Sequence, residues 1–346
     1  MSGLMAYSGL TTKIRAKESH FITEEQFRQL AELPSVPQAV AWLKKNKSYV
    51  SVLSELDESD LHRGQIEIAL RNAVLLDFDS LYRFSNGEQR DFLKLYSMRF
   101  EIRLLKKCLS NIFDHRDITT DLSEMEKYFD RHSNLDVQKL ASSATADELI
   151  ENLNGTVYYD GLKRLVKSDN PTLFDYEAAL DLFYFSFIWK RKNKILKKTD
   201  LELITNAYGR KFDMLNLWWI HRAKRYFRMN SSEIYALLIP VHYKLRTEQV
   251  KGLVEAESEE DFAARLSETY YGKTYSELKP ETLEDMYVYV LKHILLKESQ
   301  QHPYSAATIY SYLYRKEHEI NRLIIALECI RYGLPADETM SYISKT

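Results

Sequence analysis

The chain is poor in the residues that make turns. Among its 346 residues there are 10 glycines and 7 prolines, well below their usual shares of about 7% and about 5%. A chain with so few turn formers cannot make the many tight hairpins of a β-sheet protein. It can form long helices joined by short connections, so the sequence predicts an all-α fold.

Cysteines and long apolar runs are also scarce. The two cysteines, Cys108 and Cys329, lie within amphipathic patterns, which predicts two buried free thiols in a reducing, cytoplasmic compartment. No stretch approaches the roughly 18 consecutive apolar residues that would span a membrane. The segment LFYFSFIW at 182–189 is shorter and is interpreted as part of a buried helix. The opening residues MSGLMAYSGL lack a basic flank and a long apolar run, so we expect no signal peptide.

The sequence lacks the short motifs of the common enzyme classes. It contains no GxxxxGK[ST] loop, no GxGxxG, no HExxH and no GxSxG. The nine histidines are dispersed without the spacing of metal ligands. We therefore predict no catalytic residue, no metal site and no cofactor. A helical enzyme with an unrecognised site remains an alternative, and it would show a deep polar pocket with convergent titratable groups.

Amphipathic helical patterns dominate what is present. Hydrophobic residues make up 45% of the chain and charged residues 28%, which is enough for a sizeable core. In 317–332, apolar residues recur with helical spacing. We expect this helix to begin near Glu317 and Glu319, whose charges suit a helix N-terminus. Gly333 and Pro335 then predict a left-handed stop and a short final helix.

Related patterns recur about 110 residues apart. The segments RFEIRLLKK at 99–107, KFDMLNLWW at 211–219 and HEINRLIIA at 318–326 each carry an acid followed by a dense apolar run. A second pattern begins at Leu30, Leu140 and Leu253. Its aligned members are the candidate N-caps Ser35, Thr145 and Ser258, the leucines Leu43, Leu153 and Leu266, and, to within one residue, the tyrosines Tyr49, Tyr159 and Tyr271.

These repeats predict three helical domains of ordinary size. Their predicted bounds are 1–92, 93–205 and 206–346, the last including closing C-terminal helices. The 24 tyrosines fit such an array, because tyrosine packs well at seams between helices and between domains.

Two basic runs are the candidate binding features. They are WKRKNKILKK at 189–198 and HRAKRYFR at 221–228. Such runs bind nucleic acid, anionic lipid or acidic protein surfaces, or they are solvated helix ends whose long stems cover apolar surface. A net charge of -2 argues against nucleic acid as the main partner. The acidic stretch at 255–261 is interpreted as the first turn of a helix. The candidate partner-binding residues are Lys190, Arg191, Lys192, Arg222 and Arg225.

The order and length of these patterns resemble a known family. The opening TKIRAKESHFITEEQFRQLAELPSVPQAVAWL and the ending EHEINRLIIALECIRYGLPADE are similar to the C subunit of bacterial and archaeal V/A-type ATPases, whose eukaryotic relatives are called the d subunit. The residues that carry the resemblance are Arg15 and Glu18 near the start, and Glu317, Glu319, Asn321, Arg322, Leu323, Gly333, Leu334 and Pro335 near the end.

The resemblance implies a mechanical role without bond chemistry. Members of the family form a funnel of three similar helical domains around a pseudo-threefold axis. The implied partners are the subunits of the membrane rotor ring and the central shaft of the soluble ATPase head. The implied function is to transmit torque for ATP-coupled proton or sodium-ion transport, from a peripheral position at the cytoplasmic face of the membrane.

We expect the isolated chain to be a monomer. The alternative function is a generic helical scaffold that binds protein partners. The repeat length of about 110 residues disfavours it, because solenoid repeats run about 20–50 residues.

Overall fold

A computed structural model describes residues 3–57, 61–115, 123–166 and 170–344 of the chain. Within these ranges the regular elements are helices, with no β-strand, and the helical content is 76%. The predicted all-α fold is confirmed. It follows from the scarcity of glycine and proline, since few positions interrupt the backbone hydrogen bonds of a helix.

The helices range in length from a single turn to several turns. The first six are α1 (Gly3–Glu18), α2 (Glu24–Ala31), α3 (Val36–Leu43), α4 (Val50–Leu53), α5 (Arg63–Phe84) and α6 (Gly87–Phe113). The next six are α7 (Ser123–His132), α8 (Val137–Ala141), α9 (Ala146–Asn152), α10 (Tyr159–Val166), α11 (Leu173–Ile195) and α12 (Lys198–Arg225). The last seven are α13 (Ser231–Leu237), α14 (Thr247–Val254), α15 (Glu259–Ser267), α16 (Tyr270–Thr274), α17 (Leu283–Gln301), α18 (Ala306–Arg331) and α19 (Ala336–Ser344).

The helices repeat one order, in which three short helices precede two long ones. Helices α2 to α4 precede α5 and α6, α8 to α10 precede α11 and α12, and α14 to α16 precede α17 and α18. The first long helix of each set begins at Arg63, Leu173 or Leu283, about 110 residues apart. This is the spacing of the sequence repeats. The division into domains at 92 and 205 stays a prediction.

The middle short helix of each set has the predicted N-cap. The side-chain oxygens of Ser35, Thr145 and Ser258 each accept a hydrogen bond from the backbone N–H three residues later. Such a cap satisfies a helix donor that would otherwise lack a partner. The aligned leucines are buried in all three sets, namely Leu30, Leu43, Leu140, Leu153, Leu253 and Leu266. The alignment therefore marks equivalent positions of the core.

Contacts divide the chain into two compact units, which are Met1–Arg90 with Leu295–Thr346, and Asp91–Ile294. In the first unit, α18 packs against α1, α2, α3, α5 and α19. Gly333 adopts a φ of 68° immediately after Tyr332, the C-cap residue of α18. The N–H groups of Gly333 and Leu334 donate to the carbonyls of Ile330 and Cys329, each at 3.0 Å. This pair of hydrogen bonds is a Schellman motif, and it confirms the predicted stop.

The start of α18 differs from the prediction. The helix begins at Ala306, so Glu317 and Glu319 lie in its middle and are buried. The tyrosine-rich segment before Glu317 continues the apolar stripe through Ile309 and Leu313, both fully buried. The two acids therefore do not serve the helix dipole.

In the second unit, α12 packs against α11, α13 and α14. Its buried residues Met214, Leu217 and Ile220 join a core with Phe262 of α15 and Val290 of α17. Packing of this kind supplies most of the stability of an amphipathic helix. Residues 182–189 lie within α11, as predicted.

Both cysteines are free and buried, as predicted. Burial raises the pKa of the Cys108 thiol to about 11, which keeps it protonated near neutral pH. No helix in the described ranges has the length and apolar character needed to cross a membrane.

Candidate functional site

At the start of the third short helix of each set, a buried tyrosine donates a hydrogen bond to a carboxylate on a long helix of another set. We call these three pairs the tyrosine clasps. They are Tyr49 with Glu319, Tyr158 with Glu101, and Tyr271 with Asp213. The three acids are those that the sequence repeats align at 99–107, 211–219 and 318–326.

The Asp213 clasp is the most completely bonded. The Asp213 carboxylate is fully buried and accepts the Tyr271 hydroxyl at 2.9 Å. It also accepts the backbone N–H groups of Tyr243, Lys244 and Leu245 at 3.1, 2.6 and 3.2 Å. Burial raises the pKa of Asp213, against the opposing effect of these hydrogen bonds. The carboxylate thus holds both the loop before α14 and the start of α16 against α12.

The other two clasp acids, Glu101 and Glu319, also bond both their tyrosine and the segment that precedes the first short helix of the set. Glu101 accepts the Ser133 hydroxyl at 2.5 Å, shortly before α8. Glu319 accepts the backbone N–H of Ile22 at 2.6 Å, shortly before α2. Burial also raises the pKa of Glu101. Each clasp therefore fixes its layer of short helices to a long helix at two points.

The Glu319 clasp contains a buried cation as well. The Lys316 ammonium lies 3.2 Å from Glu319 and 3.9 Å from the centre of the Tyr49 ring. Burial is the main cause that lowers the pKa of Lys316. A buried pair of this kind is costly to break, because the remaining charge is left without compensation.

The sequence repeats align the three acids, and they align the three tyrosines to within one residue. In the second repeat the aligned residue is Tyr159, whereas its neighbour Tyr158 takes the buried position. Tyr159 instead donates to Glu151 at 3.0 Å on a more exposed face. Two adjacent tyrosines cannot be distinguished from spacing alone, because the turn before them varies in length.

The two segments that carry the family resemblance contact each other in the first unit. The Arg322 guanidinium forms a two-pronged ion pair with Glu24, at 2.8 and 2.7 Å. Arg315 bonds Glu18 at 2.6 Å. Such fork-shaped pairing fixes geometry as well as charge. The opening and closing segments of the chain thus form one interface.

The first basic run divides into exposed and buried residues. Lys190 and Arg191 are exposed on the last turns of α11. Lys192 is only 3% exposed, and its ammonium lies 4.0 Å from the centre of the Trp189 ring. Burial lowers the pKa of Lys192. Its role as a partner contact stays a prediction, and in this structure its stem and charge pack against its own helix.

The second basic run is partly neutralised by the acidic stretch. Arg225 and His221 both bond the Glu259 carboxylate, at 3.1 and 2.7 Å. Glu259 begins α15, so the predicted acidic first turn is confirmed. The pairing was not predicted, because sequence spacing gives no contact between α12 and α15. Arg222 stacks on Trp218, 5.0 Å from its ring centre.

The arrangement thus defines an all-helical repeat protein in which a tyrosine–carboxylate clasp recurs with each set of helices. No cluster of three or more histidine, cysteine or acidic side chains in the described part of the chain could hold a metal ion.

The model of the ATP synthase (C/AC39) subunit family matches residues 10–342. The chain belongs to this family, and it is a non-catalytic subunit of a rotary ATPase. The resemblance to the C subunit of V/A-type ATPases is confirmed.

Several proteins named as the C subunit of an A-type ATP synthase are similar over nearly the whole chain. The one from Thermococcus kodakarensis is 24% identical over 347 residues, covering 98% of this chain and 90% of the relative. The one from Pyrococcus abyssi is 24% identical over 350 residues, with coverage of 98% and 90%. The one from Methanosarcina acetivorans is 25% identical over 329 residues, with coverage of 93% and 88%.

Proposed function

We propose that the chain is the central-stalk adaptor of its rotary ATPase. In this role it links the central shaft of the soluble head to the membrane rotor ring. It transmits torque between them for ATP-coupled proton or sodium-ion transport. The single observation that carries the proposal is the repetition of the tyrosine clasp in all three sets of helices.

Torque transmission requires that a load on one helix layer reach the next without deformation. Long helices with close-packed cores have low compressibility. Short helices joined by loops are the weak part of such a design, because loops move more than the elements they connect. Each clasp removes this weakness by fixing its short helices to a long helix through buried, charge-assisted hydrogen bonds.

We propose that the three sets of helices form three similar domains around a pseudo-threefold axis, with bounds near 92 and 205. The narrow end of this funnel would sit on the rotor ring, and the wide end would receive the shaft. The repeated helix order at about 110 residues supports this arrangement. The chain would then be peripheral to the membrane, at its cytoplasmic face, and a monomer when isolated.

Basic residues near the ends of α11 and α12 are proposed contacts for acidic loops of these partners. Lys190 and Arg191 project from the end of α11, and Arg222 and Arg225 lie near the end of α12. Charges at the edge of an interface mainly guide association and orientation.

A reconstitution tests the proposal. Membranes that carry the cognate ATPase are stripped of peripheral subunits, and the purified chain and soluble head are added separately and together. We expect rebinding of the head and ATP-driven ion pumping only when the chain is present. Rebinding and pumping without the chain would overturn the adaptor function and would favour the generic scaffold.

A further inference from the structure

A large apolar groove lies in the second unit between α11, α12 and α13. It encloses about 560 Å³. Its main apolar residues are Phe174, Leu182, Trp219, Phe227, Met229 and Leu237. The groove is thus built from two long helices and from the turn and short helix that follow α12.

Two aromatic side chains at this groove remain largely in water. Phe227 is 64% exposed and Phe174 is 55% exposed. Single exposed apolar residues are ordinary, but two phenylalanines at one continuous apolar groove are typical of a binding surface. Binding would remove this apolar surface from water, which is the main favourable contribution to most protein association.

The two walls of the groove carry opposite charges. Arg222 lies on the α12 wall, and Glu177 and Asp181 lie one turn apart on the α11 wall. Asp181 is bonded to Lys106 at 2.7 Å. The Arg222 guanidinium stacks on Trp218 and forms no ion pair with another described residue. An occupant therefore meets a cation on one side and carboxylates on the other.

We propose that this groove binds an amphipathic α-helix of another subunit of the same rotary ATPase. Apolar side chains at i, i+3, i+4 and i+7 of that helix would fill the groove. An acidic residue on one edge would pair with Arg222, and a basic residue on the other edge would face Glu177. A lipid chain would use the apolar floor but would offer no partner to Arg222 or Glu177. The inference rests on the proposed function, because it takes the occupant from the same complex.

Photocrosslinking in the assembled complex identifies the occupant. The probe is p-benzoylphenylalanine at position 237, on the α13 side of the groove, in purified ATPase that contains the full chain. We expect a crosslink to a helical segment of another ATPase subunit with an apolar stripe and charges of both signs. Crosslinking only to lipid, only to a second copy of this chain, or to no ATPase subunit would overturn the proposal.

A matched pair of exposed phenylalanines tests the affinity. Phe227→Asp places a charge at the groove, whereas Phe84→Asp changes a phenylalanine that is 59% exposed in the first unit. We expect Phe227→Asp to weaken binding to the stripped membrane and head about tenfold or more, as for a buried interface anchor. Phe84→Asp should bind as the unchanged chain does. Circular dichroism should show the same helical content and melting temperature for both variants.

The outcomes separate the groove from the adaptor function. If the unchanged chain restores pumping and Phe227→Asp binds equally well, the groove proposal fails and the adaptor function stands. If the unchanged chain does not restore pumping, the adaptor function fails, and the crosslink then decides the groove by itself. Because Phe227 is exposed, misfolding of its variant is not expected, and Leu237→Lys provides a second variant with the same expected loss.

Discussion

The Tyr271 hydroxyl donates a hydrogen bond to the Asp213 carboxylate at 2.9 Å, across 58 residues of sequence. Tyr158 with Glu101 and Tyr49 with Glu319 repeat this relationship. In the first unit the acid comes from near the end of the chain and the tyrosine from near its start. The same tyrosine–carboxylate hydrogen bond therefore joins segments that are near each other in sequence in two cases and far apart in the third.

Removing one clasp hydroxyl should destabilise the protein. Tyr49→Phe, Tyr158→Phe and Tyr271→Phe each leave a carboxylate with one donor fewer, and we expect a loss of about 1–3 kcal/mol in the free energy of unfolding. Tyr332→Phe is the control, because Tyr332 is exposed and its change should stay within about 0.5 kcal/mol. Urea unfolding followed by circular dichroism measures both. Clasp variants as stable as the control would show that the hydroxyls contribute nothing.

The sequence predicts which positions of the repeats are equivalent, but it does not predict the hydrogen bonds between the tyrosines and the acids. Helical periodicity placed Glu101, Asp213 and Glu319 at equivalent positions, because the apolar residues that follow each acid set the same register. It misplaced the role of Glu319, since an acid before an apolar run also suits a helix start. Only the tertiary structure shows that α18 extends back to Ala306.

The surface was less predictable than the core. The basic runs were visible as composition, yet composition does not show that Lys192 packs on Trp189 or that Glu259 binds Arg225. The sequence does not reveal the apolar groove, because its residues come from separate helices and share no local pattern. Phe227, which lies within a predicted basic run, was the one available signal.

The stability contribution of Glu101 should fall as pH rises. Burial raises its pKa above the ordinary 4.5, so the folded state binds more protons than the unfolded state in the interval between the two pKa values. This proton-linked part of its contribution is therefore fully present below pH 4.5 and is lost as pH rises through the folded pKa. Glu101→Gln lacks this titration. We expect the destabilisation caused by Glu101→Gln to be larger at pH 4 than at pH 7.

Glu151→Gln is the control, because the stability contribution of Glu151 should depend on pH with the opposite sign. The Lys163 ammonium, followed by the Tyr159 hydroxyl, lowers the pKa of Glu151 below 4.5. Its contribution is present above pH 4.5 and is lost as pH falls through the folded pKa. Urea unfolding at several pH values should give the two variants opposite slopes. Equal slopes would contradict the burial of Glu101 as the cause.

Gly209 permits the loop of the Asp213 clasp to approach α12. A Cβ atom at Gly209 would lie 2.8 Å from Cβ of Tyr243 and closer still to its Cγ. These atoms are close to the backbone that bonds Asp213, so they cannot rotate away without moving the loop. Gly209→Ala should therefore cost about 1–3 kcal/mol of stability by overpacking.

Gly161→Ala is the matched control in another helix. A Cβ atom at Gly161 meets nothing within 4 Å, and Gly161 lies within α10. Alanine is the better helix former, so this variant should gain about 0.5–1 kcal/mol. Thermal unfolding measures both changes. A Gly209→Ala variant that is also stabilised would show that the loop adapts freely.

Charge reversal at adjacent residues of the first basic run should affect different properties. At Lys190 and Arg191 it should weaken partner binding, and at Lys192 it should lower stability. Lys190→Glu with Arg191→Glu changes exposed side chains, so stability should remain within about 0.5 kcal/mol. Binding to the stripped membrane and head should weaken several-fold, and more at low than at high salt, because surface charges are screened beyond about 10 Å at 0.1 M.

Lys192→Glu should instead lower stability by about 1–3 kcal/mol, because it places a carboxylate in a buried position against the face of Trp189. Lys192→Met keeps the apolar stem and removes the charge, so it should be close to neutral. Urea unfolding and membrane rebinding of all three variants give the comparison. If Lys192→Glu weakens rebinding while its stability is unchanged, Lys192 is a contact residue and its burial against Trp189 does not persist in the assembled complex.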